Sequence, residues 1–184
     1  MTLTTASRTV NEALRGQRSE EVADRLRALH LGSGRLGEPE LESVVAAVAV
    51  DRGLWADLVG PEPPAVRRRI RLHRADNYEV LLIVWSPLEP SDWHDHGGAS
   101  GGYAVVGGGL YERFRSDNGS DVESRLLWTG SRGAFGPDHL HDMVPAGAGT
   151  AVSVHAYSPP LAALTYYERT GLGFVVREVV PEED

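Results

Sequence analysis

Cysteine is absent from the 184 residues. That absence removes disulfides, thiolate nucleophiles and thiolate metal ligands together, so any metal here must be held by imidazole, carboxylate or water. No apolar run approaches the roughly 20 residues a membrane span needs. The N-terminal stretch Met1 to Arg8 also lacks the apolar core of a signal peptide, and the expectation is a cytoplasmic protein with no membrane partner. Basic residues are the minority charge. Lys and Arg number 18 against 26 Asp and Glu, a net charge of -8, which argues against a nucleic-acid or anionic-lipid surface and favours small-molecule chemistry. No internal repeat or low-complexity tract is found, and 41% apolar with 24% charged residues describes an ordinary globular chain. This length buries one core well and two poorly, so a single domain over 1–184 is expected.

The first third reads as helix. Val22, Leu26 and Leu29 share one helical face within residues 19–30, with Ser19 as N-cap and Gly32 beyond the end. A second amphipathic run covers about 39–50, where Leu41, Val44, Val45, Val48 and Ala49 form a stripe, and 54–59 adds a further turn. Pro61-Glu62-Pro63-Pro64 ends this region, because prolines at that density fit neither a helix nor a central strand. From Val66 onward, short β-rich runs are expected at 67–74, 78–85, 103–106, 110–115, 122–128, 141–144, 150–157, 163–168 and 173–180. Turns are read at 75–77, 116–119 and 129–133. Many short strands at this spacing indicate a sandwich or barrel, with 1–60 as a helical region, 61–184 as a β-barrel and 182–184 as a solvated tail.

The chemistry gathers around Trp93-His94-Asp95-His96. In an extended strand, side chains two apart leave the same face, so His94 and His96 can address one point inside a barrel. A third histidine from a later strand would complete a facial three-histidine metal site with open positions. His139, His141 and His155 are all candidates, and spacing alone does not rank them. The run Gly97-Gly98-Ala99-Ser100-Gly101-Gly102 carries almost no side-chain bulk, which implies a sharp bend or a close backbone approach.

Trp85, His94-Asp95-His96, the glycine-rich run, His141-Asp142-Met143-Val144 and above all Ser153-Val154-His155-Ala156-Tyr157-Ser158-Pro159-Pro160 resemble the cysteine dioxygenase family of thiol dioxygenases. The likeness covers about 66–161. It implies a mainly β fold, the cupin or double-stranded β-helix (jelly-roll) barrel. It further implies Fe(II) held by His94, His96 and His141, with a small thiol and O2 as partners in a monomer or small homo-oligomer. Ser153, His155 and Tyr157 would form an outer relay, and alternation supports this, since all three share one strand face. Arg68 falls where the family places the arginine that binds the carboxylate of cysteine, a role suited to a planar guanidinium fork. Arg67 and Arg69 flank it, and a slip of one residue would exchange inward for outward side chains. Gly101 occupies the position of the cross-linked cysteine of animal members, so no thioether can form here. The resemblance also suggests a cis peptide before Pro159. The reaction implied is oxidation of L-cysteine to cysteine sulfinate. The rival readings are oxidation of another small thiol, such as 3-mercaptopropionate, and a non-catalytic metal-binding cupin.

Overall fold

A computed structural model describes residues 5–116 and 121–182. Helix α1 spans Thr5–Leu26 and α2 spans Glu38–Ala49, with short 3-10 turns at Arg27–Leu29, Arg52–Leu54 and Ala56–Leu58. Eleven strands follow: β1 (Arg68–Arg74), β2 (Glu79–Trp85), β3 (His94–Asp95), β4 (Ser100–Gly107), β5 (Gly109–Arg115), β6 (Val122–Trp128), β7 (Arg132–Phe135), β8 (His141–Pro145), β9 (Ala151–Ser158), β10 (Ala163–Thr170) and β11 (Gly173–Pro181). They form two antiparallel sheets. One has the order β1-β2-β9-β4-β7 and the other β11-β10-β3-β8-β5-β6, giving the cupin barrel with a helical N-terminal region. Among the described residues, no helix is long and apolar enough to cross a membrane.

Alternation explains why one sheet has two buried faces. Along β2, Val80, Leu82 and Val84 pack against the helices, while Leu81, Ile83 and Trp85 enter the space between the sheets. The neighbouring β9 divides likewise, with Val152, Val154 and Ala156 on the helix side and Ala151 and Tyr157 inside the barrel. A strand buried on both faces reads as a continuous apolar run rather than an alternating one, as the sequence of β2 does. The stripe Leu41, Val44, Val45 and Val48 of α2 covers the helix side. Pro39 sits in the first turn of α2, and Glu40 Oε2 accepts a 2.8 Å bond from the Gly37 N–H.

Several boundaries differ from the sequence reading. Helix α1 runs through Ser19, which is therefore no cap; its hydroxyl lies 2.9 Å from His73 Nδ1. The stretch read as a turn at 129–133 contributes to β7, which pairs with β4 from Gly101 opposite Phe135 to Ala104 opposite Arg132. The end of the glycine run, Ser100 to Gly102, opens β4. There a Cβ on Gly101 would lie 2.2 Å from the Phe135 ring, and one on Gly102 would lie 2.8 Å from the carbonyl oxygen of Leu41 in α2. Positions 117–119 of the expected turn, and 183–184 of the tail, lie outside the described residues. Glu182 is not a solvated end, because it pairs with Arg69. The Ser158–Pro159 peptide is cis.

Candidate metal centre

Strand β3 is only two residues long, yet it sits between β10 and β8 and pairs His94 directly opposite His141. The chain then turns through Gly97 and Gly98, both with positive φ, immediately after His96. A Cβ at Gly97 would approach the Ala163 carbonyl oxygen to 2.8 Å, so the turn that carries His96 inward needs that glycine twice over. Asp95, between the two histidines, faces outward. Its Oδ1 accepts from the Gly97 N–H at 2.9 Å and its Oδ2 from the Tyr167 hydroxyl at 2.5 Å, which fixes the loop from behind.

His94, His96 and His141 converge, their nearest ring nitrogens all within 4.8 Å of one another, and all three imidazoles are buried. Each ring's free face is set by what its other nitrogen does. His94 Nδ1 donates to the Asp92 carbonyl at 2.8 Å, and His141 Nδ1 donates to Glu112 Oε1 at 2.7 Å. Both therefore turn a bare Nε2 toward the centre, the arrangement by which metal-binding histidines are usually oriented. His96 is the informative member. Both of its nitrogens are buried without a hydrogen-bond partner, a costly state for an imidazole that a coordinated ion relieves at one nitrogen. Burial, together with the neighbouring histidines, holds His94 and His96 well below the ordinary imidazole pKa, so they stay neutral and able to ligate. These residues can hold a metal ion.

Sequence reasoning missed Glu112. It is 1% exposed on β5 and accepts from His141 and His139 through Oε1 and from Arg125 Nε through Oε2, at 2.7, 3.0 and 2.5 Å. Burial alone would push this carboxyl up, but the three donors hold it well below the usual carboxylate range. A signal existed in its position, since Leu110, Glu112 and Phe114 alternate on one side of β5 and an acid there must find buried partners. His139 stands behind His141, its ring stacked 4.5 Å from Phe135. It groups with Glu112 and His141 rather than with His94 and His96.

The cavity bordered by His94 and His141 holds about 30 Å³ and is also lined by Ile83, Trp85, Met143, His155, Tyr157, Leu164, Tyr166, Arg67 and Arg69. The structure brings Ser153, His155 and Tyr157 together, with His155 and Tyr157 on the cavity wall and Ser153 joined to them through His155. Ser153 Oγ lies 2.8 Å from His155 Nε2, and the Tyr157 hydroxyl 3.3 Å from His155 Nδ1. Trp85 Nε1, a donor only, gives its proton to Ser153 Oγ at 2.9 Å. Among the described residues, the serine proton has one acceptor, His155 Nε2. That fixes His155 as the Nδ1–H tautomer donating to Tyr157, and it frees the Tyr157 proton to point elsewhere. Burial drops the His155 pKa to about 3 and raises that of Tyr157, so at neutral pH the pair is imidazole and phenol.

Arg68 is not brought to the site. Strand β1 places residues 68, 70 and 72 on the helix side, where Leu72 is buried and the Arg68 guanidinium donates to the Leu58 carbonyl at 3.1 Å. Arg67 and Arg69, of opposite parity, line the cavity instead. The strand thus turns Arg68 away from the cavity, and a shift of one residue is the whole difference between outside and inside.

Against known proteins, a family model described as cysteine dioxygenase type I matches residues 40–170. Among solved structures, TT1209 from Thermus thermophilus aligns at 17% identity and TM-score 0.48, over 57% of this chain and 94% of that one. KdgF from Halomonas sp. aligns at 14% and 0.45, over 52% and 81%. An oxalate decarboxylase from Bacillus subtilis aligns at 13% and 0.45, over 50% and 24%.

Proposed function

Because the chain belongs to the cysteine dioxygenase type I family, a family of dioxygenase-type enzymes, we propose that it oxidises L-cysteine with O2 to cysteine sulfinate, R-SH + O2 giving R-SO2H. One observation carries this reading. A buried imidazole with no partner at either nitrogen, His96, converges with His94 and His141, and those two line a cavity that also receives a guanidinium and a phenol. Ferrous iron held by His94, His96 and His141 would supply the redox chemistry that joins dioxygen to a thiol sulfur.

The chain's own residues supply the rest. Arg69 grips the substrate carboxylate and so fixes the distance from that group to the histidines; a guanidinium does this with two parallel N–H donors. The apolar wall of Ile83, Trp85, Met143 and Leu164 excludes water, which strengthens each polar contact inside. Tyr157, held neutral by burial and oriented by His155, offers one hydroxyl proton to an oxygen or to the substrate in the cavity. Ser153 and Trp85 lock the His155 tautomer that makes this possible. The small cavity favours a small thiol.

The decisive experiment is anaerobic reconstitution with Fe(II), followed by O2 uptake with a panel of thiols and identification of the product. Sulfinate formed in proportion to O2 consumed is the expected result, with L-cysteine the best substrate. Iron bound without thiol-dependent uptake would leave only a metal-binding cupin. A clear preference for 3-mercaptopropionate would reassign the substrate and keep the reaction.

A further inference from the structure

The arginine that would anchor substrate is already engaged. Glu182, the residue following β11, places Oε1 2.5 Å from Arg69 Nη1, and the two side chains are 20% and 28% exposed. Arg67, the second guanidinium on the cavity, lies 5.5 Å over the Trp85 ring, and no carboxylate pairs with its guanidinium among the described residues. Arg69 also borders an open groove of about 540 Å³ on its other side, whose walls include Glu182, Arg15, Arg71 and Arg74. The Arg69–Glu182 ion pair therefore lies where cavity and groove meet. The Glu182 charge reaches inward far enough to help raise the pKa of Tyr157, after burial, which is the main cause.

We propose that Glu182 is an internal competitor at the anchor: its carboxylate occupies Arg69 in the resting site and must be displaced by the substrate's carboxylate, so it weakens the binding of carboxylate thiols and narrows their advantage over neutral ones. The inference rests on the thiol dioxygenase reading and names a residue that tunes substrate affinity at the same site. Its physical basis is competition. An intramolecular carboxylate acts at a high effective concentration, so a neutral thiol gains nothing by contacting Arg69, while an anionic one recovers the ion pair it breaks. The backbone of Glu182 is pinned by its N–H bond to the Ala162 carbonyl at 3.0 Å. Exchange is thus a side-chain rotation on a fixed support, outward into the groove that Arg69 and Glu182 both line.

The test compares wild type with Glu182→Gln, both loaded with Fe(II), using 3-mercaptopropionate and 2-mercaptoethanol as the probe thiols. Losing a partly exposed competitor should lower KM for 3-mercaptopropionate by roughly three- to fivefold and leave that for 2-mercaptoethanol unchanged. An unchanged or raised KM for the carboxylate thiol, or an equal shift for both thiols, overturns the proposal. Should Glu182→Gln unfold, Glu182→Asp, which withdraws the charge by one methylene, carries the same expectation. Propionate binding by the metal-free proteins separates this claim from the reading beneath it. Tighter propionate binding by the variant with no sulfinate from any thiol keeps the exchange and rejects the oxidation. Sulfinate from wild type with equal propionate affinities does the reverse.

Discussion

At the scale of single residues, the consecutive guanidiniums Arg67, Arg68 and Arg69 show how little side-chain identity says without parity. All three carry the same fork and charge, yet Arg68 donates to the Leu58 carbonyl among the helices while its neighbours face the histidines. The carboxylate anchor of a thiol substrate is therefore expected at Arg69. Replacing it with alanine removes a charged hydrogen-bonded contact worth about 1.5–3 kcal/mol, or roughly ten- to hundredfold in KM for carboxylate thiols. Arg68→Ala should leave KM within about twofold, as surface-facing changes usually do. Steady-state O2 uptake on both variants, with iron content measured alongside, checks this. Equal effects would mean that neither parity nor the cavity lining identifies the anchor. The contact among Ser153, His155 and Tyr157 was legible for a related reason: they alternate, so their common face is stated by the sequence itself. Glu112 was not, because its partners lie 13 to 29 positions away on other strands and no spacing rule links them.

Elements carry the next layer, and β4 is the most constrained of them. Two successive glycines serve opposite faces: Gly101 makes room for the Phe135 ring inside the barrel, while Gly102 lets the backbone of α2 approach outside. Phe135 in turn lies 4.9 Å from the His96 ring and 4.5 Å from that of His139. The absence of a cross-linkable side chain at position 101 is thus filled by an aromatic ring. Gly102→Ala should destabilise the fold by about 1–3 kcal/mol, since the atom it strikes is a helix carbonyl with no freedom to retreat. Metal content at 20 °C should be retained, because the damage falls on the helix side. A denaturant titration gives the first quantity and iron analysis the second. Loss of iron at full stability would show that α2 helps hold the site. Strands such as β2 and β9 were readable from composition because both faces are buried, and β5 and β6 from their turn-bounded β runs. Strand β3, at two residues, and β7, hidden in a glycine-containing turn signal, lie below the length at which periodicity exists.

For the molecule as a whole, the two cores on either side of one sheet bury the histidines of the metal centre and the relay, and this burial has a pH signature. His155 is neutral when folded, with its pKa dropped to about 3 by burial, whereas in the unfolded chain it titrates near 6.5. Below pH 6.5 the unfolded state therefore binds a proton that the folded state does not. Stability must fall as pH decreases through the interval from about 6.5 toward 3, by up to about 1.4 kcal/mol per pH unit for this one group. His94 and His96, also held well below the ordinary range by burial, add to the slope in the metal-free protein. The carboxylate of Glu112 acts in the same direction but at lower pH, since its folded value is depressed below a normal carboxyl value that is itself near 4.5. The two contributions thus occupy different windows. Urea midpoints of the metal-free wild type and His155→Gln, measured between pH 7.5 and 5, should show a shallower decline for the variant even though it begins less stable. Parallel curves would mean that His155 is protonated in the fold, and a relay that delivers the Tyr157 proton to the cavity requires it neutral.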